Sequence, residues 1–204
     1  MNRIPTLALS LALALSAGQF GARAQSNSAA DTASDAASTL SPVDYNFVAQ
    51  ANLGAPFQID SGRLAEQKAT TANIRDYAHL MVVSHIPVVD DLNAILERKR
   101  IAAPPETLLQ GAYDAMIASL KADTGAGLDR DYVEGQVDYQ KGNAALFRHE
   151  IQYGADPELR AFAQRTLPKI EDHLERAQKL ARGEALGVST QQGLASPARI
   201  GTTE

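Results

Sequence analysis

Residues 156–181 read DPELRAFAQRTLPKIEDHLERAQKLA, and this stretch decides the fold. Asp156 carries an oxygen that can cap free backbone N–H groups. Pro157 suits the first helical position, and Glu158 places a negative charge in the first turn. Leu159, Phe162, Ala163, Leu167, Ile170, Leu174 and Ala177 then recur at steps of three and four, the period of one helix face. A helix with one apolar stripe has to bury it against other elements, so the question becomes what else the chain supplies.

Upstream, three more long segments carry the same period. Leu128–Gly154 is expected as a helix with Tyr132, Val133, Val137, Leu146 and Phe147 in the core. Thr70 or Thr71 is expected to cap a helix running to about Arg100, with Ile74, Ala78, Met81, Val88, Leu92 and Leu96 on its inner face. Ser41 and Pro42 open the first helix, whose face is Phe47, Ala51, Gly54, Gln58, Ser61 and Ala65. Pro56, Pro87 and Pro168 lie inside three of these helices and predict bends, because each removes one backbone hydrogen bond. Pro104 and Pro105 break the chain, Thr107–Ala122 makes a shorter helix with Leu108, Met116 and Leu120, and Gly125 and Gly127 end it. No segment shows sustained strand alternation. The expected fold is all-α, a four-helix bundle with one additional short helix.

The flanks have a different character. Met1 to Arg3 is a short positive start, Leu7 to Leu15 an apolar run, and Ala22-Arg23-Ala24 a small-x-small site. Residues 1–24 therefore read as a signal peptide cleaved after Ala24, for delivery to the periplasm or the exterior. Residues 25–40 read as a flexible leader, 41–183 as the helical domain, and 184–204 as a disordered tail. No later segment reaches membrane-spanning length without charges, so no transmembrane segment is expected in the mature chain. The net charge is −5, and loss of Arg3 and Arg23 would take it to −7, which disfavours nucleic acid as a partner. There is no cysteine, hence no thiolate metal site and no thiol nucleophile.

The residues able to carry chemistry are few. His85 falls four residues after Met81 and three before Val88, and His173 three after Ile170 and four before Ala177. Both imidazoles are expected on inward faces of different helices. Gln58 occupies the inward face of the first helix. Tyr139 stands seven residues after Tyr132 and seven before Leu146, which puts it on the inner face of its own helix. Aligned helices would gather these four groups in one layer. That layer either holds a transition metal through His85 and His173, helped by Tyr139 and Gln58, or consists of four side chains satisfying one another by hydrogen bonds. Carboxylate-bridged di-iron bundles use Glu-x-x-His pairs, but Val82 and Ile170 stand three residues before the two histidines. Neither a nucleophile elbow, nor a phosphate-binding glycine loop, nor a His-Glu-x-x-His helix is present. His79 and His149 sit among polar neighbours and read as solvated.

Several spaced segments resemble a known family. They are Phe47-Val48-x-x-Ala51, Gly62-x-Leu64-Ala65-x-x-Lys68-Ala69, Tyr77-Ala78-x-x-Met81-Val82-x-x-His85, and the run from Phe162-Ala163 through Leu167-Pro168 to His173-Leu174-x-x-Ala177. Over residues 43–181 the chain is similar to the exported bacterial domain-of-unknown-function family numbered 4142. The resemblance implies a ferritin-like four-helix bundle behind a signal peptide. It also implies Glu at the position of Gln58, Asp-His at Ser84-His85 and at Asp138-Tyr139, and His at His173. This chain keeps two of those imidazoles and lacks the carboxylate and the third imidazole. The expectation is a non-catalytic envelope binding or stress-associated accessory protein, with an envelope protein or small ligand as partner. The rival is a transition-metal-binding or metal-dependent redox protein built on the core histidines.

Overall fold

The computed structural model describes residues 40–102 and 108–186. The expected signal peptide, the expected leader up to residue 39 and the expected tail from residue 187 lie outside the described residues.

Among the described residues five helices follow one another: α1 (Pro42–Lys68), α2 (Ala72–Lys99), α3 (Leu108–Ala122), α4 (Gly125–Tyr153) and α5 (Pro157–Ala181). Their ends are set by side chains that the sequence already offers. Ser41 accepts from the Asp44 backbone N–H while the Asp44 carboxylate reaches back to Ser41, a reciprocal cap. Asp156 accepts from the Glu158 and Leu159 N–H groups at 2.9 and 3.1 Å, as expected at the start of α5. The start of α2 departs from expectation. Thr71 occupies the cap position without a side-chain hydrogen bond, and Thr70 instead binds the Asp129 carboxylate of α4 through both its N–H and its hydroxyl. The start of α4 differs too: it begins at Gly125, three residues ahead of Leu128, and Gly125 adopts φ +61° in its first turn. Both glycines thus lie in the first turn of α4 and do not end α3, which stops at Ala122.

α1, α2, α5 and α4 form a closed ring of neighbours, and α3 packs outside against α1 and α4. Two apolar clusters give the directions of the helices. One gathers Phe47 to Ala55 of α1, Val88 to Leu96 of α2, Ala144 and Phe147 of α4, and Leu159 to Ile170 of α5. The other gathers Ala65 of α1, Ile74 to Met81 of α2, Leu128 to Val133 of α4, and Ala177 of α5. α1 and α5 therefore run one way and α2 and α4 the other, and α3 carries the chain back along the bundle. Lys68 fastens that crossover by donating to the Leu120 and Lys121 carbonyls at 2.9 and 2.7 Å. Leu186 packs against the second cluster, three residues beyond the expected domain limit at Gly183.

Each of α1, α2 and α5 continues through its proline, so Pro56, Pro87 and Pro168 interrupt single hydrogen bonds and not the helices. Among the described residues, α2 is long and apolar enough by length and composition to cross a membrane. Its buried stripe runs from Ile74 to Leu96, and Val83 and Ile86 are exposed as large apolar groups on the outer side. The first cluster centres on three rings. Phe47 meets Phe147 edge-on at 4.9 Å between centroids and Phe162 at 6.1 Å, and all three are essentially unexposed. Phe47→Ala should accordingly lower stability by about 3–5 kcal/mol. Urea unfolding checks this, and a loss below about 1 kcal/mol would show that these rings do not centre the core.

Candidate functional site

Between the two apolar clusters lies a band of polar side chains. On α1 it holds Gln58 and Ser61, on α2 His85, on α4 Gln136 and Gln140, and on α5 His173, all buried. Each of these helices thus changes from apolar to polar at the same level.

His85 and His173 meet there, with ring centroids 5.3 Å apart and planes tilted by 38°. Their exposures are 4 % and 1 %. His85 Nδ1 donates to the Met81 carbonyl at 2.8 Å, one turn back along α2, and this fixes the tautomer: the proton sits on Nδ1 and Nε2 keeps its lone pair. His173 Nδ1 is buried with no hydrogen-bond partner. The carbonyl of His173 accepts from the Tyr77 hydroxyl at 3.2 Å, which links α5 to α2 directly below the imidazoles. Burial above all pushes both histidines down, His85 to about 4 and, with the His85 ring and Lys169 adding to it, His173 to about 3. Both imidazoles are therefore neutral at physiological pH.

A small hollow adjoins the pair, lined by both histidines together with Ala55, Tyr139, Thr166 and Lys169 among others. Tyr139 shares this hollow but does not enter the layer as a hydrogen-bond partner. Its ring lies against Phe57 at 5.5 Å and Tyr113 at 6.1 Å, and its hydroxyl packs so closely over Gly54 that a Cβ there would collide with it. Burial, with Tyr113 next to it, raises its hydroxyl well above the ordinary tyrosine value, so it stays protonated. Gln58 is at the level of the layer and completely enclosed, yet neither its Nε2 nor its Oε1 has a partner.

The expected hydrogen-bonded quartet is thereby corrected. The structure brings His85 and His173 together, puts Tyr139 on the rim and leaves Gln58 unpaired. Two glutamines that the sequence reading missed complete the layer. Gln140 directs its Nε2 to Met81 Sδ at 3.5 Å while its Oε1 stays unpaired, and Gln136 accepts from the Tyr77 hydroxyl at 3.4 Å. The signal was available at steps of four and three: Leu128, Tyr132, Gln136, Gln140, Ala144, Phe147 and Glu150 are all buried. Polar residues interrupt the stripe: of the residues expected in the core of α4, Tyr132, Val133 and Phe147 are buried, while Val137 and Leu146 are partly buried at its edge. Among the described residues no three His, Cys, Asp or Glu side chains gather in metal-binding proximity.

A ring of four antiparallel-packed helices with a crossover helix and a polar mid-core layer defines an all-helical bundle protein of ferritin-like type. Residues 29–180 match the domain of unknown function DUF4142, and the chain belongs to that family. A solved structure, the DUF305 fragment from Deinococcus radiodurans, superposes with a TM-score of 0.63 at 14 % identity, covering 71 % of this chain and 98 % of that one. At that identity the likeness shows the fold alone. The comparison with curated proteins returned no match.

Two predictions follow from the pair in metal-free protein. Both histidines hold fewer protons folded than unfolded once the pH falls below the free value of 6.5, so stability should drop as the pH falls from about 6.5 towards 4. Thermal melts across that range check this, with His173→Leu reducing the slope. At neutral pH His173→Leu should be neutral or stabilising, because it removes a buried group without a partner, where a hydrogen-bonded histidine would lose about 1–3 kcal/mol.

Proposed function

We propose that this chain is an exported, non-catalytic binding protein that holds one transition-metal ion in its polar mid-core layer through His85 and His173. The observation that carries the reading is the pair itself: two desolvated, neutral imidazoles 5.3 Å apart, one with its tautomer fixed and the other with an unpartnered buried nitrogen. Buried polar atoms are almost always paired. A layer that leaves His173 Nδ1, both polar atoms of Gln58 and Gln140 Oε1 unpaired has room in its chemistry for a guest. With nitrogen–metal bonds of about 2.0–2.1 Å, two imidazoles sharing one ion stand about as far apart as these.

The donor set also ranks the ions. It is neutral, with imidazoles and an adjacent thioether at Met81 and no carboxylate in the layer. The desolvation cost of an ion grows with the square of its charge, so a soft monovalent ion such as Cu(I) suits this layer better than Zn(II). Export rests on the order of charge, apolar run and small-x-small site in residues 1–24.

Metal titration of the tag-free chain tests the proposal. Cu(I) under anaerobic conditions should bind at one per chain and raise thermal stability, by about 2.7 kcal/mol when the free ion is at 100 times its dissociation constant. His85→Ala and His173→Ala should each abolish that gain, and Zn(II) should give a smaller one. No stabilisation by either ion, or stabilisation that survives both substitutions, would refute it.

A further inference from the structure

At the far end of the first apolar cluster, two acidic side chains are buried where α1 begins and α4 turns into α5. Asp44 is 1 % exposed and Glu150 is not exposed at all. Their situations differ. The Asp44 carboxylate accepts from the Ser41 hydroxyl at 2.6 Å and the Ser41 N–H at 3.3 Å. Across the turn it accepts from the Ala155 N–H at 3.3 Å and the Asp156 N–H at 3.1 Å. A carboxylate with four donors is ionised. Glu150 has no such donors: no N–H group reaches either of its oxygens, and its polar contact is with the Asp44 carboxylate. Its carboxyl lies over Gly154, where a Cβ would strike it, and beside the Asp44 carboxylate, close enough for each to act on the other.

We propose that Asp44 and Glu150 form a proton-dependent clasp that holds the α4–α5 turn against the start of α1. With Glu150 neutral, Asp44 keeps its bonds to Ala155 and Asp156 and the end of the bundle is closed. With Glu150 ionised, two carboxylates face each other in a buried site that provides donors for one, and the turn parts from Asp44.

The charged groups around Glu150 favour the neutral form. Asp44 faces it from α1. Asp156 faces it from the turn, with its own carboxylate tied to Lys99 of α2 at 2.7 Å and to the first N–H groups of α5. Glu158, further along α5, pairs with Arg98 of α2 at 3.2 Å. Arg160 of α5 is the one cation acting to lower Glu150, and it is exposed. Burial first, then Asp44 and Asp156, outweigh it and push Glu150 from 4.5 up to about 8. The Asp44 carboxyl moves the other way: burial works to raise it, but the hydrogen bonds from Ser41 and the turn prevail. Because the Glu150 value is raised in the folded state, its contribution to stability is fully present below 4.5 and is lost as the pH rises through about 8.

Carbon-13 and nitrogen-15 NMR of the metal-free chain between pH 5 and 9.5 tests the clasp. The Glu150 carboxyl should titrate near pH 8, and the Ala155 and Asp156 amide signals should move with the same midpoint. Glu150→Gln, which keeps the shape without the charge, should fold and show no such movement. A Glu150 carboxyl already ionised at pH 6 would overturn the proposal. So would a Glu150 titration near pH 8 that leaves both amides in place, or amide movement that persists in Glu150→Gln. The carboxyl and amide titrations of the unmodified chain decide the matter even if the variant does not fold.

Discussion

Two apolar clusters share the inside of this bundle, and the band of polar groups where they meet is the constraint on which the rest depends. Each of the four long helices turns polar at that level: Gln58 and Ser61, His85, Gln136 and Gln140, His173. A one-residue change of register in any helix would carry its polar group by about 100° round the axis and bury an unmatched atom among aliphatic side chains. The layer therefore fixes both the relative height and the rotation of the helices. The Tyr77 bond to the His173 carbonyl and the His85 bond to the Met81 carbonyl hold the imidazoles within it.

The polar ties outside the layer share one design. Asp44 joins the start of α1 to the α4–α5 turn, Asp129 joins the α1–α2 loop to α4, and Lys68 joins the end of α1 to the end of α3. In each case one charged side chain serves backbone groups that the end of a helix leaves unpaired, across a large separation in sequence. By contrast Arg63–Asp60, Arg148–Glu171 and Arg182–Glu184 are exposed on both sides and contribute little.

The buried ionisable groups of the core, the two histidines of the layer and Glu150, pull in opposite directions. Burial holds the histidines unprotonated, so acid works against the fold. It holds Glu150 protonated, so base works against it. The bundle is squeezed from both sides of a window near neutrality, and the two effects lie in different parts of the core, at the mid-layer and at one end. Changes at one should leave the other intact, since the two share no partner.

Helix number, order and most boundaries were legible in the chain because apolar residues recur at helical spacing and because Ser41 and Asp156 cap where they stand. The same period placed His85 and His173 on inward faces. It placed Tyr132, Val133 and Phe147 of α4 in the core but passed over Asp129, Gln136, Gln140 and Glu150, since a pattern of apolar residues skips polar ones. Nor could it show whether the four expected groups would bond to one another. Periodicity gives an angle about each helix axis but no distance between axes. The 5.3 Å between the imidazoles, the isolation of Gln58 and the displacement of Tyr139 over Gly54 were decided only when four stripes packed around one axis. The meeting of Asp44 with Glu150 is likewise tertiary. The residues are more than one hundred positions apart, and only the packing of the α4–α5 turn beside the start of α1 encloses both.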